Sequence, residues 1–465
     1  MKTKTIYKCS SCGRQETKWI GRCPSCQEWD TLKEVRIETN QGSHARDKKR
    51  AGASKLLNVT GSNSDRIITS IKEFNRVMGG GIVKDSLTII TSPPGGGKST
   101  LVLAVANEIS SQGYKVLYAT GEESESQIKN RADRILSRIH ENLWILSDTS
   151  MDNVLAQIDE IDADLIVIDS IQAFTLESFS GSRAGSPTQT MGCANELLKI
   201  AKSSSKPRAV IMVGQMTKED ELAGLRALEH LVDTILYIES ENGEELRSLL
   251  STKNRFGSTG EMGFFTMLEE GMVSIDNPSE FFMTKRDDKD LVSGSTLTVI
   301  KEGTRPIIAE IESLVSKTFT PFPSRIGECL KREQLNTLIS ILEQRGGVPL
   351  YDKDIVLKTT GGLKLKEQAV NLSVMMSILS SVYNKGISND TVFIADVGLT
   401  GELKKVPSLE LRIKELDRMG FKRVYIAKNA LGRGLEVRNI KVVQLTTLRE
   451  VISHVFSSKI NVADL

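Results

Sequence analysis

The sequence predicts a multi-domain α/β protein, with a mostly parallel sheet at its centre, a small cysteine-held module before it and an α+β region after it. Three observations predict this. From about Thr60 to Asn277, short apolar runs alternate with amphipathic ones, the pattern of a parallel sheet covered on both faces. Four of the six cysteines fall within the first 26 residues, in two Cys-x-x-Cys pairs. Beyond about Pro278 come strand candidates at 297–300 and 307–314, then helices and strands to Leu465.

Length and composition set the bounds. A chain of 465 residues suggests about three domains at ~150 residues each. Hydrophobic content of 39% with 26% charged residues is ordinary for a soluble globular protein. A net charge of +2 gives no global drive toward nucleic acid or membrane, so any basic surface must be local. No apolar run reaches the roughly 18 residues of a membrane span. The N-terminus begins with lysines but has no apolar core for a secretory signal, so a cytoplasmic chain with no membrane partner is expected.

Cys9-x-x-Cys12 and Cys23-x-x-Cys26 form two knuckles separated by ten residues. Each pair turns two thiolates toward one centre, and the four complete a tetrahedral sulfur shell suited to Zn²⁺. A reducing compartment favours this over disulfides. The surrounding segment is poor in apolar side chains, so metal would supply most of its folding energy. Four thiolates leave no open coordination position, so the module is structural or a contact surface. This zinc ribbon is assigned to residues 1–35. Residues 36–59 follow as a polar, Gly/Ser/Lys/Arg-rich linker containing Lys48-Lys49-Arg50.

In the central domain, 60–280, the run 86–90 reads as a buried strand and 101–109 as a helix. Between them lies Ser92-Pro93-Pro94-Gly95-Gly96-Gly97-Lys98-Ser99-Thr100. Strand, glycine-rich loop and helix in this order form a phosphate-binding loop. Gly95, Gly96 and Gly97 turn backbone N–H groups toward phosphate oxygens, and the helix N-terminus adds its dipole. Lys98 reaches the β- and γ-phosphates, Ser99 sits on Mg²⁺, and Thr100 opens the helix; ATP with Mg²⁺ is the expected ligand. One position departs from G-x-x-x-x-G-K-[ST]: Ser92 stands where the first glycine belongs. A serine holds that turn only if its φ stays negative or it accepts strain.

Further strands are expected at 115–119, 165–168, 209–213, 234–238 and 248–252. Ligands of open α/β sheets sit beyond the carboxyl ends of strands. Glu122 and Glu123 follow the first of these strands, where a carboxylate activates water or merely partners a helix dipole. The apolar run 165–168 ends in Asp169, the Walker B form, which supports the metal. Thr252-Lys253-Asn254-Arg255-Phe256-Gly257 leaves a strand with two cations at a turn: a basic hairpin tip, or charge delivered to a neighbouring subunit's nucleotide.

These residues together resemble the bacterial RadA/Sms recombination ATPases over nearly the full length. The likeness rests on the Cys-x2-Cys-x10-Cys-x2-Cys array with Lys18-Trp19-Ile20-Gly21-Arg22-Cys23-Pro24 and Trp29, the phosphate loop, and Gly121-Glu122-Glu123-Ser124. Gln215-Met216-Thr217-Lys218-Glu219, Leu228-Glu229-His230-Leu231-Val232-Asp233 and Lys253-Asn254-Arg255-Phe256-Gly257 continue it. The resemblance implies a RecA-like P-loop ATPase core, helicase-like, assembling as a homo-oligomeric hexamer on single-stranded DNA. It further implies branch migration of recombination intermediates in DNA repair, beside a strand-exchange recombinase. By position, Lys98, Ser99 and Asp169 bind phosphate and metal, Glu122 or Glu123 activates water, and Lys253 and Arg255 couple nucleotide to DNA and to the next subunit. The loop 179–189, with Arg183 and Gln189, matches the family's DNA-facing loop. Ser92, Pro93, Met191 and Gln215 depart from the family pattern, so a ring-shaped nucleotide- and DNA-binding scaffold with little turnover is the alternative.

Residues 281–465 resemble the Lon protease-like α+β domain as this family carries it, through Gly361-Gly362, Asp396-Val397-Gly398-Leu399-Thr400-Gly401-Glu402 and Gly420-Phe421-Lys422-Arg423. Ala369 stands at the nucleophile position and Glu410 at the lysine position, so no peptidase is expected. Ser373, Ser377 and Ser380 are expected to pack. Basic residues of this half, among them Lys358, Lys404, Arg412 and Arg418, would line a DNA channel or form a solvated face. Cys193 and Cys329 read as small buried residues.

Overall fold

The computed structural model describes residues 3–11, 15–16, 18–38, 55, 57, 66–215, 224–240, 245–286, 291–432 and 435–456. Two compact units emerge, Met1–Ser62 and Asn63–Leu465.

The first unit is a three-stranded antiparallel sheet in which Thr3–Cys9 pairs with Gln15–Glu16 on one side and Leu32–Glu38 on the other. Its register sets Cys9 opposite Leu32, both buried. Among the described residues, the unit's interior is Cys9, Cys23 and Leu32, flanked by Tyr7 and Cys26.

The second unit holds a nine-stranded sheet. In order across it run Gly271–Ser274, Met262–Leu268, Leu246–Asn254, Thr234–Glu239, Leu87–Ser92, Ala209–Gln215, Leu165–Asp169, Val116–Thr120 and Leu143–Ser147. The last six of these are mutually parallel, and the first three join antiparallel. Period-two alternation divides the central strands between two cores. Ile90, Tyr118, Val167 and Ile211 face the helix Lys98–Ser111 through Leu101, Val102 and Val105. Ile89, Leu117, Ile168 and Met212 face the helices Met151–Ile161 and Pro187–Ala201 through Val154, Ile158, Ala194 and Leu197. Continuous apolar runs are what strands buried on both faces require.

The expected strands lie where the sequence placed them, most of them slightly longer. The strands Leu143–Ser147, Met262–Leu268 and Gly271–Ser274 were not anticipated, and 248–252 belongs to an antiparallel strand rather than to the parallel set.

A seven-stranded mixed sheet, in the order Arg325–Gly327, Lys353–Thr359, Arg305–Lys317, Ser295–Glu302, Thr391–Ile394, Arg423–Ala427 and Lys441–Leu445, forms the C-terminal half. The helix Asn371–Val382 packs on it. Met262 and Phe264 of the nine-stranded sheet belong to the same packed cluster as this half, and Phe264 meets Phe282 edge-on at 5.3 Å between ring centroids. Glu73 adds a polar tie, accepting from Phe264 N at 3.0 Å and from Arg305 at 2.8 Å. Among the described residues no helix is long and apolar enough to cross a membrane.

Candidate nucleotide site and metal centre

The phosphate loop forms at the carboxyl end of Leu87–Ser92, where the buried strand stops and the helix Lys98–Ser111 begins. Gly97 caps that helix at φ 93°, a left-handed conformation that a side chain would strain. No side chain caps the helix and no acid sits in its first turn, so its leading N–H groups face outward for an anion.

Ser92 is fully buried and remains strand up to the loop, without the positive φ that a glycine would have licensed. Instead its hydroxyl enters the loop. Lys98 Nζ donates to Ser92 Oγ at 2.9 Å and to Ser92 O at 3.1 Å, and Ser92 Oγ donates to Pro93 O at 2.7 Å. Gly96 is the residue that makes room, because a Cβ there would collide with Ser92 Oγ. Burial lowers the pKa of Lys98; the charges of Asp169 and Glu122 oppose that shift and so lie close to it.

Asp169 ends its strand nearly buried, and Tyr118 donates its hydroxyl to Asp169 Oδ2 at 2.6 Å. Desolvation and the Asp169 charge push the Tyr118 phenol well above its ordinary range, so it stays a donor. The two adjacent glutamates diverge. Ser170 Oγ donates to Glu122 Oε1, and Gln215 Nε2 lies 2.9 Å from both Glu122 oxygens. Glu123 turns instead to an ion pair with Arg131. Glu122 is solvent-exposed and therefore within reach of a water molecule.

Lys253 and Arg255 lie at the opposite edge. Asn254 pairs with Thr234, and Thr234 with Thr88, at the amino end of the strand whose carboxyl end bears the loop. At ~3.3 Å per residue, that strand separates them from the phosphate site by roughly 16 Å. Arg255 meets the buried Asp233 at 3.3 Å, and Lys253 donates to Glu229 O. The turn is anchored by Arg66, which donates to Phe256 O at 2.7 Å.

The expected loop 179–189 ends earlier, because Pro187 opens the helix Pro187–Ala201; Arg183 before it is exposed, but Gln189, in the helix's first turn, is 1% exposed. Its carboxamide accepts from Leu176 N at 2.8 Å and donates to Phe179 O at 2.9 Å, so it shapes the loop from inside rather than facing a ligand. Met216, Thr217, Lys218 and Glu219 lie outside the described residues, as does Cys12.

The sulfurs of Cys9, Cys23 and Cys26 all lie within 4.8 Å of one another, with Cys9 and Cys26 at 3.6 Å. Tetrahedral zinc with ~2.3 Å bonds asks for sulfurs about 3.8 Å apart, so the residues fit the ion. None of the three is in a disulfide. Cys193 and Cys329 are buried, and burial pushes both thiols up to about 12. Neither should react with a thiol reagent at neutral pH in the native chain, so that reactive thiols come from the N-terminal unit after chelation. Mass-spectrometric labelling of Cys193 or Cys329 before unfolding would contradict this.

In the C-terminal half, Ser373, Ser377 and Ser380 are buried and donate to the carbonyls of Leu297, Gly294 and Lys385 at 3.1, 2.6 and 2.6 Å. Glu410 is exposed and accepts from Gly432 N. Arg412 departs from the expectation of a surface cation: it is buried against Glu367.

A parallel sheet with a phosphate loop facing an acid-ended strand, joined to a cysteine metal module, defines a P-loop protein with a zinc ribbon. The profile of the rubredoxin metal-binding domain matches residues 7–34, and that of the AAA domain residues 53–221. The DNA repair protein RadA of Bacillus subtilis is 40% identical over 97% of this chain and 98% of its own length. Those of Listeria monocytogenes and Streptococcus pyogenes are 39% and 40% identical, over 97% and 98% of this chain and 98% and 100% of theirs. The chain belongs to the RadA family of DNA repair proteins.

Sequence reasoning missed Tyr118, Ser170 and Arg131 as partners of the acids. A tyrosine inside a buried strand signals a hydroxyl in need of a partner; nothing local marks the other two.

Proposed function

We propose that this chain is an ATP-driven DNA motor of recombination and repair. In this reading it binds single-stranded DNA as a hexameric ring in the cytoplasm and promotes branch migration beside a strand-exchange recombinase. The observation that carries the hydrolytic part is the gathering of Lys98, Asp169 and a Glu122 held by Ser170 and Gln215 at one strand edge. The relatives' names, DNA repair protein RadA, support the DNA part. Its domains are a zinc ribbon at 1–35, a linker at 36–59, a RecA-like ATPase at 60–280 and a non-proteolytic Lon-like domain at 281–465.

Lys98, freed from Ser92, binds the β- and γ-phosphates with the loop N–H groups of Gly95 to Thr100. Glu122 takes a proton from the water that attacks the γ-phosphorus, and ADP leaves. Mg²⁺, held by Ser99 and Asp169, would offset phosphate charge when bound. Tyr118 occupies one oxygen of Asp169 and so fixes its carboxylate plane. Arg255 and Lys253, too far to serve their own loop, act on a neighbour's nucleotide or on DNA, and Arg183 meets DNA phosphate. Cys9, Cys12, Cys23 and Cys26 hold Zn²⁺, which supplies folding energy and no catalysis.

The Lys98–Ser92 contact favours a second reading, a nucleotide-binding scaffold with little turnover. Steady-state ATP hydrolysis with and without single-stranded DNA separates them. Hydrolysis that rises with DNA and is lost in Lys98→Ala is expected. Nucleotide binding dependent on Lys98 without turnover would replace the motor by the scaffold.

A further inference from the structure

The N-terminal unit presents an aromatic surface that its own folding leaves unused. Trp19 is 56% and Trp29 72% exposed, although rings of this size ordinarily bury 150–250 Å². Both converge on Gly21: Trp19 Cη2 and Trp29 Cζ3 each lie 3.7 Å from where a Cβ of Gly21 would be. A glycine at this point keeps the space between the rings open. The guanidinium of Arg22 sits over the Trp29 ring, 5.8 Å from its centroid. It is aimed there by donating to Gln27 O at 2.7 Å and Gln27 Oε1 at 3.0 Å.

The surface is also held rigid. Arg22 and Trp29 pair as an antiparallel bridge, closed by Asp30 N to Gly21 O and Cys23 N to Glu28 O, both at 3.0 Å. This hairpin is the second cysteine knuckle, so a metal held by Cys23 and Cys26 would also fix the Trp29 ring.

We propose that Trp19, Trp29 and Arg22 form a stacking platform for the unstacked bases of single-stranded nucleic acid. Every base has a π-face, and rings beside a guanidinium bind one without reading its sequence. Charge argues for a polyanion over an apolar peptide. In the amino-acid sequence, residues 36–55 carry six Lys or Arg against two acids. The inference rests on the proposed function for its choice of ligand, and adds a contact separate from the loop at 179–189.

The test is binding of fluorescein-labelled oligo-dT to the full chain, read by anisotropy. Trp19→Ala and Trp29→Ala should each weaken binding at least about fivefold, with zinc content and salt dependence unchanged. Because an alanine variant that lost zinc would be misfolded, a second measurement stands beside the first. The chain has three tryptophans, and in a Trp144→Phe background oligo-dT should quench the remaining indole emission. Absence of quenching, or unchanged affinity in zinc-loaded alanine variants, overturns the platform. Variants that bind oligo-dT normally yet fail to support repair in cells also overturn it, in favour of a protein partner. DNA-stimulated hydrolysis that persists in such variants leaves the motor standing, whereas an unaltered chain that neither binds oligo-dT nor hydrolyses ATP removes the motor itself.

Discussion

Glu122→Gln should lower ATP turnover by roughly 10²- to 10⁴-fold while nucleotide still binds, because the amide keeps the shape but cannot accept the proton. Ser170 and Gln215 remain available to orient the substituted side chain. Glu123→Gln should behave differently. It removes the charge facing Arg131, whose guanidinium is about one-fifth exposed, and costs about 1–3 kcal/mol of stability with little change in turnover per folded molecule. Single-turnover hydrolysis together with urea denaturation of both variants checks the pair. Turnover lost in Glu123→Gln and retained in Glu122→Gln would reverse the assignment.

The second large effect is expected far from the nucleotide. Arg412 is 1% exposed and grips Glu367 through two bonds, at 2.7 and 2.6 Å, while also donating to Val299 O and Pro407 O. Glu367 in turn accepts from Lys301 N at 2.9 Å. Removing the guanidinium leaves a partly buried carboxylate without its counter-charge, together with a void. Arg412→Ala should therefore cost about 3–5 kcal/mol. Arg418→Ala, on a side chain 69% exposed, should stay within about 0.5 kcal/mol. Urea midpoints compare them, and the double variant Arg412→Leu/Glu367→Leu should recover much of the loss. An Arg412→Ala midpoint equal to that of Arg418→Ala would return Arg412 to the surface.

What was legible in the sequence were features written locally. The phosphate loop is a contiguous string between an apolar run and an amphipathic one, and Asp169 terminates an unbroken apolar strand. The cysteine knuckles announce themselves by spacing. What was hidden depends on partners distant in sequence. Arg412 reads like the lysines around it until Glu367, 45 residues away, is brought beside it. Gln189 looks like a polar loop residue available to DNA, yet the chain folds back so that its amide replaces missing backbone bonds. Glu122 and Glu123 are indistinguishable as neighbours, and only Gln215, 93 residues on, and Arg131 draw them apart. The strand Met262–Leu268 escaped because its side chains serve two cores at once, Phe264 in one and Phe265 in the other.

That shared packing has a thermodynamic consequence. Phe264 and Glu73 tie the nine-stranded sheet to the seven-stranded one, so the two cannot melt independently without exposing a common interior. A ligand that binds only the folded state adds RT ln(1 + [L]/Kd) to whatever unfolds with its site, about 2.7 kcal/mol at a hundredfold excess over Kd. Through Phe264, that increment reaches strands that never touch the nucleotide. A nucleotide held at the phosphate loop would therefore protect the C-terminal half against heat and proteolysis as well.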